Sequence, residues 1–81
     1  MKRTEDVREL LASLVGAPLL EGVGDDDLVF EQGLIDSLYL VELIDLVEGR
    51  FGIEVAGDEL APENFESVAA MARYIQAKTA A

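Results

Sequence analysis

The triplet Asp36-Ser37-Leu38 sets a hydroxyl beside a carboxylate, just ahead of an apolar pattern of helical period. A serine hydroxyl becomes a nucleophile only when a neighbouring group takes its proton, and the usual proton acceptor is missing. None of the 81 residues is His and none is Cys. That removes the side chain that ordinarily titrates near neutrality, along with thiol nucleophiles, disulfides and the usual zinc ligands. Carboxylates are the only bases left, so the chain is not expected to be an enzyme. The triplet also has a purely structural reading, with Asp36 as a helix N-cap, Ser37 in the first turn and Ile35 packed back onto Leu40 as a hydrophobic staple.

Two other clusters fail the chemistry they suggest. An EF-hand loop starting at Asp25 in Asp25-Asp26-Asp27 would need oxygen ligands at alternating positions, Gly at the sixth and Glu at the twelfth. The fifth position is Val29, the sixth Phe30 and the twelfth Asp36, so no metal site is expected. Gly22-Val23-Gly24 lacks both a preceding strand and a third glycine at dinucleotide-binding spacing.

The elements that must position Ser37 are helical. Val7, Leu10, Leu11 and Leu14 recur at i, i+3, i+4 and i+7, which predicts a first helix with Thr4 as N-cap, ended by Gly16 and Pro18. A second helix is predicted from Ser37 to about Phe51. Its core face is Leu40, Leu43, Ile44, Val47 and Phe51, and Gly49 and Gly52 mark its end. A third runs from about Val68 to Lys78, capped by Ser67, with Val68, Met71, Ala72 and Ile75 inward and a frayed tail Thr79-Ala80-Ala81. Between the last two, a loop carries at most one short helical turn near Asp58 to Ala61. The fold class is therefore all-α: a small bundle of three long helices plus a short helix in the last loop, with residues 1–81 forming one domain.

Residues 16–36 have no period of their own and hold four of the seven glycines. A connection of that length in a compact domain is usually functional, and its apolar residues, Leu19, Leu20, Val23, Leu28, Val29, Phe30, Leu34 and Ile35, predict that it packs across the bundle.

Charge narrows the partners. Seventeen acidic against six basic residues give a net charge of −11. Such a surface repels a phosphate backbone, so nucleic acid is not a partner and proteins with basic surfaces are. Met1-Lys2-Arg3-Thr4-Glu5-Asp6 leads into acids instead of the apolar stretch of a signal peptide. No apolar run nears the ~20 residues of a membrane span; a cytoplasmic monomer without membrane contact is expected. On the predicted second helix, Leu38 and Val41 lie away from the core stripe, interleaved with Glu42 and Asp45, as in a docking surface.

The segment Phe30-Glu31-Gln32-Gly33-Leu34-Ile35-Asp36-Ser37-Leu38, followed by Val41-Glu42-Leu43, resembles the phosphopantetheine attachment region of the acyl and peptidyl carrier proteins. The likeness extends through Phe51-Gly52-Ile53-Glu54-Val55 and Pro62-Glu63-Asn64-Phe65-Glu66-Ser67-Val68 and covers nearly the whole chain. The resemblance implies that Ser37 accepts a 4′-phosphopantetheine arm from coenzyme A, whose thiol then carries an acyl or aminoacyl group as a thioester. It gives Asp36 a role in capping and in recognition by the phosphopantetheinyl transferase, which would supply base and metal. It assigns Leu38, Val41, Glu42, Asp45 and Glu48 to partners, namely that transferase, a loading ligase, and downstream transferases or synthases. Tyr39 stands where fatty-acid-synthesis carriers usually have Asp, and the motif is closer to stand-alone carriers of amino acids or of specialised pathways. A second reading from another class is an acidic interaction module that binds a basic partner by charge, without a prosthetic group; it leaves the Gly33 to Leu38 segment unexplained.

Overall fold

The computed structural model describes residues 3–31, 33 and 36–80. These form α1 (Arg3–Val15), α2 (Ala17–Leu20), α3 (Ser37–Phe51), a 3₁₀ turn (Gly57–Glu59), α4 (Pro62–Phe65) and α5 (Val68–Ala80), with no strand among the described residues. The protein is all-α, and the three long helices are the three that the apolar period predicts.

Their ends differ in instructive ways. Thr4 is not the N-cap of α1, because the helix already includes Arg3; the preceding residue lies outside the described residues. Gly16 ends α1 at φ 96°, a left-handed conformation that side chains resist. Pro18 does not simply stop the chain, because proline lacks only an N–H that is unpaired at a helix start, and here it opens the short α2. Gly49 lies inside α3, and Gly52 alone ends it at φ 66°, donating its N–H to the Glu48 carbonyl at 3.0 Å. The last connection holds two short helical pieces instead of one, since Pro62 starts α4 and Phe65 buries its ring. Helix α5 continues through Thr79, whose hydroxyl donates to the Ile75 carbonyl at 2.9 Å, so residues 79–80 belong to the helix. Ala81 lies outside the described residues.

One face of each long helix meets in a single core. Leu11 of α1, Leu43 and Val47 of α3, and Val68, Met71 and Ile75 of α5 are almost wholly buried. Phe65 stacks obliquely on Tyr74, ring centres 5.2 Å apart. Leu40, Ile44 and Phe51 are only half-buried around this centre. Ser67 caps α5 as predicted, its hydroxyl accepting from the Ala70 N–H at 3.1 Å.

The long connection packs across the bundle through Leu20, Val23 and Val29, which are buried, and half-buried Phe30, whereas Leu19 and Leu28 stay exposed and residues 34 and 35 lie outside the described residues. Arg8 pins it to α1, donating to Asp25 Oδ1 at 2.7 Å and to the Val23 carbonyl at 2.7 Å. Two backbone bonds tie it to the opposite side, from Ala69 N–H to the Asp25 carbonyl and from Val29 N–H to the Glu66 carbonyl, each 2.9 Å. The acidic run is thus partly structural. Asp25 pairs with Arg8, and Asp27 accepts from the Gly24 N–H at 2.8 Å.

Glu59 performs the corresponding task in the last connection. Its Oε1 accepts from the Lys78 ammonium (2.9 Å), the Ala56 N–H (3.0 Å) and the Tyr74 hydroxyl (2.9 Å). Its carbonyl accepts from the Asn64 side chain at 2.8 Å. Lys78 first, then the Ala56 N–H and the Tyr74 hydroxyl, hold its carboxyl down from 4.5 to about 2, against the opposing effect of burial. Burial, followed by the bond to Glu59, pushes the Tyr74 phenol up.

Two measurements check this account. Leu43→Ala, which empties a fully buried site, should cost about 2 to 5 kcal/mol in urea unfolding. Because the Glu59 pKa is depressed in the folded state, its stabilisation is present above pH 4.5 and fades as pH falls toward about 2. The stability gap between the parent and Glu59→Gln should therefore be widest near neutrality and close across that window, and a gap constant with pH would refute the assignment.

Candidate functional site

The extended backbone of Asp36 (φ −113°, ψ −174°) turns the chain into α3, and Ser37 is the first helical residue. Asp36 Oδ1 accepts from the Leu38 N–H at 3.1 Å and the Tyr39 N–H at 3.0 Å. Its carbonyl accepts from the Leu40 N–H at 2.9 Å. Asp36 is therefore the N-cap that the sequence predicts. The staple residue Ile35, and Gln32 and Leu34 of the motif, lie outside the described residues.

Both neighbours of Ser37 are open to solvent. Asp36 is exposed, and Leu38 is 71% exposed. Val41 is 62% exposed, with Glu42 and Asp45 exposed beside it, so the structure brings Leu38, Val41, Glu42 and Asp45 onto one outer face of α3. Glu48 differs from them. It is half-buried and its Oε2 accepts from the Val55 N–H at 2.9 Å, tying α3 to the segment that follows. Tyr39, which the sequence marks as a departure from the fatty-acid-synthesis carriers, is 38% exposed on the same helix, as is Leu46, which sequence reasoning leaves out. Leu46 follows Glu42 by four residues, and that spacing was the signal available for it.

Beside this helix start lies an apolar groove of about 340 Å³ lined by Phe30, Leu40, Ala61, Pro62 and Phe65. Leu40, placed in the core by the helical period, is half-buried because it forms one wall of this groove. Leu40 follows Ser37 by three residues, about one helical turn.

A group attached by another enzyme needs a reachable position, and exposure on both sides of Ser37 meets that need. The N-terminus of a 15-residue helix favours the negative charge of a phosphodiester. Asp36 opposes it in part, since its carboxylate already occupies two of the free N–H groups. The residues present fit the arm as an exposed tether.

The match with known proteins agrees. A family model described as "Phosphopantetheine attachment site" covers residues 5–75. The chain belongs to that family of carrier proteins, whose cofactor is covalent 4′-phosphopantetheine, a flexible arm that supplies a thiol to carry a group as a thioester. Among curated relatives, it is 33% identical over 64 residues to the D-alanyl carrier protein of Streptococcus suis (strain 05ZYH33), covering 76% of this chain and 81% of that protein. It is 36% identical over 55 residues to the D-alanyl carrier protein of Leuconostoc citreum (strain KM20), covering 68% of each. Of the two readings drawn from the sequence, the carrier is the one these matches support. Among the described residues, no helix is long and apolar enough to cross a membrane.

Asp36→Ala removes the bonds to two N–H groups and should cost about 0.5 to 2 kcal/mol, whereas Asn, also a good cap, should retain most of that stability. Paired denaturant melts of the two variants read the difference directly.

Proposed function

We propose that Ser37 is the attachment residue and that the cargo is an amino acid, D-alanine, as in the names of the two relatives. The observation carrying this reading is their similarity, 33% and 36%, together with a serine that opens α3 between the exposed Asp36 and Leu38. The Ser37 hydroxyl takes the phosphoryl end of the arm from coenzyme A as the nucleotide half leaves. The phosphopantetheinyl transferase receives the hydroxyl proton, which accounts for a chain without His or Cys. Asp36 holds the first turn in helical form, so the hydroxyl is presented from a fixed backbone. A loading ligase and a downstream transferase follow, each approaching along α3 with a basic surface, in the cytoplasm. Leu38, Val41, Glu42 and Asp45 are the contact residues. Glu48 acts through its hold on Val55.

The apolar groove favours a second cargo, a short aliphatic acyl group, because among the described residues no charged side chain lines it. The ammonium of an aminoacyl group would lose hydration there without finding a counter-charge.

Intact mass decides both points. With coenzyme A and a broad-range transferase, the parent should gain one arm per chain and Ser37→Ala none; labelling of the Ala variant would move the site elsewhere. Loading the modified protein in extract with D-alanine, L-alanine, other amino acids and short fatty acids supplied one at a time should then add an alanyl mass with D-alanine and not with L-alanine, and an acyl mass alone would favour the second cargo.

A further inference from the structure

Six basic side chains stand against seventeen acidic ones in this chain, and two of the six border one groove. It lies between the start of α1 and the side of α5, encloses about 490 Å³, and has Arg3 of α1 and Ala69, Ala72, Arg73, Gln76 and Ala77 of α5 in its walls. The lining is largely apolar, and among the described residues no acidic side chain contributes to it. Neither arginine is fully committed. Arg73 is exposed and has no acidic partner among the described residues, whereas Arg8, Arg50 and Lys78 each have one. Arg3 donates to Asp6 at 3.3 Å and lies over Phe51, 5.2 Å from the ring centre, but its Nε–H is buried without an acceptor. A buried donor left unpaired is costly, so an acceptor arriving beside Arg3 relieves a cost already present in the free protein.

Apolar walls bordered by two guanidiniums suit a guest with an aliphatic body and an anionic head. The net charge of −11 limits how many anionic groups that guest carries, because each added one is repelled by the rest of the surface. A single head held against the arginines sits well inside the ~8 Å over which salt leaves charges visible to each other. A polyacidic peptide or an anionic bilayer is thereby disfavoured. The volume, about 490 Å³, falls in the range of small-molecule sites, roughly 300 to 1,000 Å³. We propose that the groove between α1 and α5 binds a free aliphatic monocarboxylate, its head toward Arg3 and Arg73 and its chain along Ala69, Ala72 and Ala77. Residues 69 to 77 offer about 12 Å of helix for that chain. The site stands apart from the start of α3, since Arg3 lies over Phe51, which is about 21 Å along the helix from Ser37. A bound carboxylate therefore leaves Ser37 free to react.

Three probes of equal chain length test this on the full chain at neutral pH, each below its micellar concentration: decanoate, decanol and decyltrimethylammonium. An amide ¹H–¹⁵N NMR titration reads affinity and place together. Decanoate should shift the amides of residues 3, 4 and 69–77 with a Kd about ten-fold or more below that of decanol, and decyltrimethylammonium should leave those amides unmoved. Arg73→Gln changes an exposed side chain without an acidic partner among the described residues. It should weaken decanoate binding about five-fold or more at an unchanged melting temperature, and Arg73→Lys should restore most of the loss. Shifts centred instead on Phe30, Leu40 and Phe65, or equal Kd values for decanoate and decanol, would overturn the proposal. So would co-flotation with phosphatidylglycerol vesicles that Arg73→Gln abolishes, since it would put the arginine on a bilayer and not on a free carboxylate.

Discussion

Helix α3 has to bury one apolar stripe and leave another in water. Leu43 and Val47 are sealed in the core, and that burial sets the rotation of the helix about its axis. Once the rotation is set, residues roughly 100° or more around the helix from them must face outward, and Leu38 and Val41 do. An apolar side chain left in solvent forgoes about 25 cal/mol for each Å² it could have buried. Exposure there is a cost in the free protein that contact with another protein can recover. The rotation also turns Glu42 and Asp45 out beside the exposed pair, while Glu48 is held by the Val55 N–H that the chain after Gly52 brings to it.

The start of α3 depends on a second constraint. The connection from Gly16 to Asp36 must cross the bundle and still deliver the chain to the start of α3, where Asp36 is extended. Arg8 on one side and the backbone bonds of Ala69 and Val29 on the other hold its first half. Buried Val23 and Val29 supply the apolar part of that hold. Asp36, itself extended, then opens the helix by accepting from the Leu38 and Tyr39 N–H groups. Exposed ion pairs such as Arg50 with Glu9 add only about 0 to 1 kcal/mol each, so the route of the chain is set mainly by burial and backbone hydrogen bonds.

The parts of this arrangement that were legible in the sequence are those governed by local rules. Apolar spacing located α1, α3 and α5, and the capping preferences of Asp36 and Ser67 placed two helix starts. The parts that were not legible depend on tertiary context. Nothing in a four-residue apolar segment after Gly16 distinguishes a turn of helix from irregular chain, so the sequence pattern predicts no α2 and reads Pro18 as a stop. Gly49 is a poor helix residue in isolation, costing about 1 kcal/mol relative to Ala, but α3 carries it because Val47 and Phe51 on either side pack against the core. Periodicity put Leu40 and Leu43 on one face with equal weight. Only the position of α4 shows that Leu40 borders a groove while Leu43 is sealed. Glu48 looked like its acidic neighbours until the backbone after Gly52 brought the Val55 N–H to it.

The carboxylates show how an acidic chain can fold and still keep charge for recognition. Those of Asp25, Asp36, Asp27, Glu48 and Glu59 are committed to backbone N–H groups or to cations of the chain itself. In these positions a negative charge is compensated locally, and it contributes to the architecture more than to the long-range field. Glu42 and Asp45 have no such partner among the described residues, and they stand next to the apolar residues that α3 leaves exposed. Uncompensated charge beside a small apolar surface favours rapid, salt-sensitive encounter over tight holding, because steering raises association rates while the buried area remains modest. A carrier must meet successive enzymes and leave each one. The division between committed and free carboxylates, set by the rotation of α3, gives this chain a surface suited to that exchange.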